Sequence, residues 1–281
     1  MSGSGGPDPV SASMGGIPAG ARAELAVSAA GGRHEDLRLN LADVRDRIAA
    51  AAAAAGRAAG ELTLVAVSKT WPAADVVVLC GLGVTDFAEN RDQEARPKVA
   101  DVTKHLFDSE VSAVSPPVSP PVSPPRWHFV GQLQRNKARS VTRWAHWVQS
   151  VDRASLVTAL STAAVVHGRE IVVCLQVSLD GHGVDAGRGG ARPAEIPALG
   201  DLVAAMPGLV LAGVMGVAPR DVPARPAFAG LREVSDVLRR EHPEASVISA
   251  GMSGDLADAV AEGATHLRIG TALFGQRRGV P

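Results

Sequence analysis

A lysine closes a short apolar segment in the first third of the chain, and its amine is the first candidate for chemistry. Residues 62–69 read LTLVAVSK, a nearly continuous apolar run in which Val65 and Val67 are branched at Cβ. Such a run is typical of a parallel strand that is buried on both faces. Lys69 lies where this strand ends. Two interpretations stay open at this point: a lysine that extends into solvent, or an amine nucleophile at the mouth of a barrel.

Two loops near the C-terminus have the composition of an anion site. Residues 249–255 read SAGMSGD, in which Gly251 and Gly254 permit close backbone approach and Ser253 is a natural N-cap for the helix that follows. Residues 268–272 read RIGTA and again offer a glycine, a hydroxyl and backbone amides. Backbone N–H groups at the start of a helix favour phosphate. The two loops together therefore predict a phosphate site.

The elements that position these residues are eight short apolar strands that alternate with helices. A count of eight and a spacing of roughly 25 residues favour an α/β fold, a single (β/α)8 TIM barrel. In such barrels the site lies at the C-terminal ends of the strands, and phosphate is often bound after strands 7 and 8. A doubly wound open sheet is the alternative, although no GxGxxG follows the first strand. The strands are predicted at 62–69, 85–90, 127–131, 146–151, 170–179, 209–216, 245–250 and 266–269.

Three segments lie outside this alternation. Residues 1–33 are rich in Gly, Ser, Ala and Pro without an apolar period, which predicts a disordered tail. Residues 34–57 carry apolar residues at helical spacing and predict an extra N-terminal helix of a barrel domain that spans 34–281. Residues 109–125 contain the repeat VSPPVSPPVSPP, which predicts an exposed proline-rich loop inserted in that domain.

Composition excludes several classes of protein. The net charge of −1 gives no basic surface, so neither nucleic acid nor a membrane is an expected partner. The two cysteines, Cys80 and Cys174, lack CxxC spacing, so we predict no disulfide framework and no metal site, and we expect a cytoplasmic protein. No segment is apolar enough to span a membrane, and the N-terminus lacks the features of a signal peptide.

An amine on the first strand and an anion site on the last two define a class of ligand. A phosphorylated aldehyde fits both, and pyridoxal 5'-phosphate (PLP) is the cofactor that carries the two groups together. Lys69 would hold this cofactor as a Schiff base. Arg268 is a candidate to face the pyridine nitrogen, where an arginine would disfavour a protonated ring and so weaken the electron sink.

Five motifs that carry these residues occur together in one known family. They are AVSKT (66–70), FAEN with QE (87–94), WHFVGQLQRNK (127–137), SAGMSGD (249–255) and RIGTALFG (268–275). In this combination and order, over about residues 35–278, the chain resembles the pyridoxal-phosphate homeostasis proteins. The resemblance implies the barrel of the alanine racemase N-terminal domain standing alone.

The resemblance also implies which residues surround the cofactor. It makes Lys69 the cofactor lysine, puts Arg268 near the ring, and puts Asn90 and Met215 near the cofactor. The residues that it implies around the phosphate are Ser249, Gly251, Ser253, Gly270 and Thr271. We predict no catalytic residue and no metal ligand.

The chain departs from the family pattern in three places. Ala88 stands where glycine is usual in FGEN, and Arg91 stands where a tyrosine commonly follows that motif. The loop after the fifth strand, GHGVDAGRGG (181–190), lacks the usual Lys-x-Gly element. A role for a second lysine is therefore unsupported here, and Arg188 is its basic stand-in.

The predicted function is that of a non-catalytic PLP-binding protein in intracellular PLP homeostasis, which buffers or delivers the cofactor. Delivery is implied by the resemblance, with apo PLP-dependent enzymes as the acceptors. A racemase needs two bases, one on each face of the substrate Cα. The sequence contains no tyrosine to serve as the second base and too few residues after the eighth strand for the domain that supplies it. Because that domain also makes the usual dimer contacts, we expect a monomer.

Two enzymatic alternatives stay open. One is a PLP-dependent amino-acid racemase-like enzyme. The other is an aldolase-like enzyme that forms a Schiff base between Lys69 and a phosphosugar. The second alternative needs an acid/base partner, for which Glu89, Glu94 and His128 are candidates by their positions near strand ends.

Overall fold

Eight parallel strands close into a barrel in a computed structural model, which describes residues 19–107, 123–179, 189–220 and 223–276, with the side chains of 19–30 excepted. Each strand pairs with the next along the chain, and the first pairs with the last. This confirms the predicted TIM barrel. The strands are β1 (Thr63–Val67), β2 (Asp86–Glu89), β3 (Arg126–Phe129), β4 (Trp147–Val151), β5 (Ile171–Val177), β6 (Leu209–Gly216), β7 (Val247–Ser249) and β8 (His266–Ile269).

Helices follow the strands in the described part of the chain. They are α1 (Ala19–Ala54), α2 (Ala73–Gly81), α3 (Asp92–Phe107), α4 (Ala138–Val141), α5 (Ala154–His167), α6 (Ile196–Ala205), α7 (Ala224–Glu241), α8 (Leu256–Ala261) and α9 (Thr271–Phe274). The helix predicted over 134–144 is shorter, because it consists of a 3-10 turn at Arg135–Lys137 and then α4 alone. The Thr142 hydroxyl bonds there to the Arg139 carbonyl, and such local bonds compete with helix continuation.

The N-terminal helix is longer than the sequence predicted. It starts at Ala19, whereas a disordered tail was predicted up to residue 33 and a helix only from residue 34. The added segment is rich in alanine, the strongest helix former, so propensity rather than apolar periodicity accounts for it. Residues 1–18 of the predicted tail and 108–122 of the proline-rich loop lie outside the described residues.

The chain divides into two units, 1–36 and 37–281. Within the second unit, the C-terminal part of α1 buries four apolar residues spaced three or four apart, which is the stripe of an amphipathic helix. These residues are Leu37, Leu41, Val44 and Ile48. No helix in the described residues is long and apolar enough to cross a membrane.

The hydrophobic core of the barrel domain lies between the strands and the helices. Side chains alternate along each strand, so that Ala66 of β1 and Phe87 of β2 face the helices and belong to the main apolar cluster. The opposite set faces the barrel interior, which in many TIM barrels is filled by branched apolar residues. Here that interior carries a row of buried polar side chains: Asp86, His128, Gln149, Ser249 and Arg268.

Candidate functional site at the barrel mouth

Lys69 lies in a tight turn immediately after β1. The Trp71 amide donates a hydrogen bond to the Ser68 carbonyl at 3.0 Å, which closes a four-residue turn. Thr70, the third residue of this turn, has a φ of 69°, and no other non-glycine residue in the described chain has a positive φ. This is the geometry of a type II turn, where glycine is usual because a β-branched residue is strained. The turn leaves Lys69 half-buried at the end of the strand.

The two loops predicted to bind phosphate touch each other. The Ala272 amide, after β8, donates a hydrogen bond to Ser253 Oγ, after β7, at 3.3 Å. The prediction of Ser253 as the N-cap was wrong, because Asp255 precedes α8. Gly251 has a φ of 88°, and a Cβ at this position would lie 2.7 Å from the Cβ of Ala259. Glycine is therefore required at this turn.

Backbone amides in these loops are available to an anion. The amides of Ser253, Gly254, Gly270 and Thr271 donate no hydrogen bond to any group in the described chain. Ser253 and Gly270 are half-buried, and Gly254 and Thr271 are exposed. Unpaired N–H groups in adjoining loops form a concavity suited to a phosphate.

The turn that carries Lys69 packs against the loop after β8. The rings of Trp71 and Phe274 stack with their centroids 5.7 Å apart and an interplanar angle of 17°. A Cβ on Gly270 would lie 3.6 Å from the Cβ of Val67, so the two backbones run close together. The Lys69 turn and the loop after β8 thus adjoin at the C-terminal end of the barrel.

Arg268 supplies a buried positive charge beside this site. Its side chain is 5% exposed, Nη1 donates to Ser249 Oγ at 2.7 Å, and Nη2 donates to the Gly216 carbonyl at 2.8 Å. Within the described residues no carboxylate forms an ion pair with it. Burial lowers the pKa of Arg268 to about 10, so the guanidinium stays charged at neutral pH. A buried cation without a carboxylate partner favours an anionic or electron-rich ligand.

Ser249 is placed as a support for Arg268. Its hydroxyl donates to Oε1 of Gln149 at 2.8 Å while it accepts the bond from Arg268. A hydroxyl has a single proton to donate, and that of Ser249 is already used. The predicted contact between Ser249 and a phosphate stays a prediction.

The interior network continues from Gln149 towards the N-terminal end of the barrel. Gln149 Nε2 donates to Nδ1 of His128 at 2.8 Å, and His128 Nε2 donates to Asp86 at 3.0 Å. Arg126 binds the same carboxylate through two nitrogens at 2.9 and 2.7 Å. Burial would raise the pKa of Asp86, but the hydrogen bonds from His128 and Arg126 outweigh it and hold the pKa well below its usual value. Burial lowers the pKa of His128, so its ring is neutral.

Asn90 and Met215 lie on other strands of the same barrel end. Asn90 directly follows β2, and its backbone passes so close to Gly131 that a Cβ there would lie 2.1 Å from the Asn90 carbonyl oxygen. Met215 is paired in register with Ser249 and is 1% exposed. Their predicted contacts with a cofactor stay predictions. Arg188, the basic stand-in, lies outside the described residues.

The three acid/base candidates of the aldolase alternative each have a partner in the described chain. Glu89 faces α3, where its carboxylate pairs with Lys98 at 2.5 Å. Glu94, on α3, pairs with Arg91. His128 is fully buried between Asp86 and Gln149. Glu89 and His128 are therefore not available to a substrate at the mouth in this arrangement.

Two residues that shape the site escaped the sequence analysis. Lys98 looks like an ordinary helix-surface lysine, yet it falls with Ala95 and Val102 on the buried stripe of α3. That spacing of three and four residues could have indicated that Lys98 is on the buried face of the helix. Gln149 lies in β4 between Val148 and Ser150, and nothing in the pattern distinguishes an interior glutamine from an exposed one.

The chain belongs to the family of the alanine racemase N-terminal domain, whose family model matches residues 39–278. A relative from Mycobacterium tuberculosis, named pyridoxal phosphate homeostasis protein, is 41% identical over 252 residues, which are 88% of this chain and 95% of the relative. The resemblance inferred from the five motifs is confirmed.

Solved structures agree with this assignment. PipY of Synechococcus elongatus, in a structure with PLP bound, is 31% identical with a TM-score of 0.68, and the match covers 85% of this chain and 100% of PipY. D-threonine aldolase from Filomicrobium marinum is 18% identical with a TM-score of 0.64, and the match covers 89% of this chain and 63% of that one. The second match shows the fold alone.

Proposed function

We propose that this protein holds PLP covalently on Lys69 and acts as a non-catalytic holder of the cofactor in cytoplasmic PLP homeostasis. The observation that carries the proposal is the meeting of the Lys69 turn with two loops that contain amides with no acceptor in the described chain. The names of the homeostasis relatives and the PLP bound to PipY support it.

The groups present fit PLP one by one. The free amides of the two loops suit its phosphate. Lys69 would hold the aldehyde carbon through one C=N bond, with the release of one water. When bound, PLP supplies this aldehyde and an electron-withdrawing ring. Arg268 would face the ring nitrogen and, because it stays protonated, would donate a hydrogen bond there without giving up its proton. The ring would then stay unprotonated, and its electron withdrawal would be weak.

The same groups favour holding over catalysis. Racemisation requires a second base on the face of the substrate opposite the lysine. The sequence contains no tyrosine, and Glu89 and His128 are engaged with Lys98 and Asp86. A C=N bond to a single lysine is reversible by water or by another amine. The protein therefore buffers PLP and releases it to apo PLP-dependent enzymes, whose own lysines take it up.

The test of the site is the visible absorption of the purified protein, followed by borohydride reduction and peptide mapping. We expect an absorption band in the wild type and a reduced PLP adduct on Lys69. Lys69→Ala should lose both, because the proposal makes Lys69 the attachment point of the aldehyde. Lys104→Ala, which changes an exposed lysine of α3, is the matched control and should keep both.

Two outcomes would contradict the proposal. A colourless protein that neither takes up added PLP nor traps it on Lys69 would remove the cofactor site. Racemisation of alanine above the buffer blank by the PLP-loaded wild type would remove the non-catalytic part, since a second base would then have to act.

A further inference from the structure

Three buried polar residues form a cluster directly behind Lys69: Ser68, Glu89 and Lys98. Lys98 Nζ donates to Oε1 of Glu89 at 2.5 Å and to the Ser68 carbonyl at 2.7 Å, and the Ser68 hydroxyl donates to the same carboxylate oxygen at 2.7 Å. Ser68 and Glu89 are 0% exposed and Lys98 is 9% exposed. The second carboxylate oxygen of Glu89 has no partner in the described chain.

The carbonyl that Lys98 binds belongs to the peptide group joining Ser68 to Lys69. The same oxygen accepts the Trp71 amide and so closes the turn. A carbonyl oxygen has two lone pairs, and here one closes the turn while the other is held by an ammonium group on α3. The backbone just before Lys69 is thus fixed from the helix side of the strand.

This cluster is poorly explained by stability alone. A buried ion pair loses hydration, and apolar residues of similar volume often replace it without loss. The pairing of Glu89 is incomplete, and burial raises its pKa although Lys98 opposes the change. The strained Thr70 is two residues away from Ser68, and such conformations persist only where the surroundings over-determine them. A costly charge pair and a strained turn therefore meet at one carbonyl.

We infer that Lys98, supported by Glu89, is a positioning residue that fixes the Ser68 carbonyl and thereby holds Lys69 in the geometry for linkage to an aldehyde. The inference rests on the proposed function. Lys98 itself forms no bond to the ligand, because its ammonium is enclosed on the outer face of β1 and β2. Its task is distinct from that of Lys69.

The test is a double substitution, Lys98→Met with Glu89→Gln, in the full-length protein. Both charges disappear together, so no unpaired charge is buried and the melting temperature should stay close to that of the wild type. PLP affinity and the rate of borohydride trapping on Lys69 should each fall at least about tenfold, because the turn loses its fixed point. In the ligand-free protein, the Trp71 amide should exchange with solvent at least about tenfold faster.

Glu262→Gln is the matched control. Glu262 is 7% exposed and pairs with Arg225 and Arg232 of α7, at the N-terminal end of β8 and thus at the opposite end of the barrel. We expect this variant to melt at a lower temperature, with PLP affinity and Trp71 exchange as in the wild type. If the double variant does not fold, Glu89→Gln alone replaces it in the test, because this substitution keeps the side-chain shape. It should weaken PLP binding at least about threefold.

Wild-type PLP affinity and wild-type Trp71 exchange in folded Lys98 or Glu89 variants would overturn the inference, since a purely structural cluster would change only the melting temperature. Failure of the wild type to trap PLP would refute the proposed function instead. Trp71 exchange would then still decide whether Lys98 fixes the turn, because it is measured without ligand.

Discussion

Gln149 is the central link of the interior network because its amide bonds on both sides. It donates to His128 and accepts from Ser249, which in turn accepts from Arg268. Arg268 is therefore oriented by a chain of side chains that begins at the buried carboxylate of Asp86. In a low-dielectric interior such a chain is strong only while each member keeps its partners, which makes the position of Arg268 sensitive to distant substitutions.

Histidine protonation is the pH-sensitive step in this interior. The ring of His266 packs on Trp147 with centroids 5.3 Å apart and lies 6.5 Å from His128. Burial, with the nearby His128 and Arg126 as smaller causes, lowers the pKa of His266 from 6.5 to about 4, and Asp86 opposes the change. The unfolded chain therefore binds a proton at a higher pH than the folded protein, so stability falls as pH falls from 6.5 to about 4.

We predict that His266 lowers the free energy of unfolding by up to about 1.4 kcal/mol for each unit by which the pH falls in that window. His128 should make a contribution of the same sign. Urea unfolding across the window measures it. His266→Phe keeps a ring against Trp147 and should reduce the dependence of stability on pH. His105→Asn, on the exposed surface of α3, is the control and should leave that dependence unchanged. Equal slopes of unfolding free energy against pH in the wild type and in His266→Phe would contradict this prediction.

At the scale of elements, the loop after β7 contains two glycines with opposite requirements. Gly251 has a positive φ and no room for a Cβ, whereas Gly254 has open space within 4 Å and no positive φ. We predict that Gly251→Ala lowers the free energy of unfolding by about 2–3 kcal/mol and weakens PLP binding, because the loop must move. Gly254→Ala should change stability by less than about 1 kcal/mol.

Chemical denaturation and PLP titration of the two variants provide the measurement. Because both substitutions add one methyl group to the same loop, their difference isolates backbone geometry from side-chain volume. Equal stability of the two variants would show that Gly251 does not require its left-handed conformation.

The strands were predictable because a buried parallel strand must be almost continuously apolar, as in β1 and β6. The end of β1 was not predictable. The strand was predicted to run to Lys69, but the backbone already turns at Ser68. A type II turn is normally recognised in a sequence by glycine or asparagine at its third position. This turn has Thr70 at that position, so the sequence does not indicate it. The candidate site residues were predicted from their motifs, whereas the bonds of Lys98 and Gln149 depend on partners from other elements and could not be predicted.

At the scale of the whole molecule, large exposed apolar residues in the described chain are spread over many elements. We therefore predict a monomer, since stable association usually needs a contiguous apolar patch. Light scattering of the purified protein measures this, and a dimer that persists on dilution would contradict it. The residues concerned are Leu39, Phe107, Val165, Val166, Val210, Val237 and Met252.

The pairing of β1 with β8 joins the first and last strands of the barrel. The proposed site takes its amine from β1 and its anion loops from β7 and β8, so neither half binds PLP before the barrel closes. During synthesis the chain cannot retain the cofactor until its final strand has left the ribosome. In the proposed site, cofactor uptake would thus mark a closed barrel, and incomplete or misfolded copies would not withdraw a reactive aldehyde from the cell's supply.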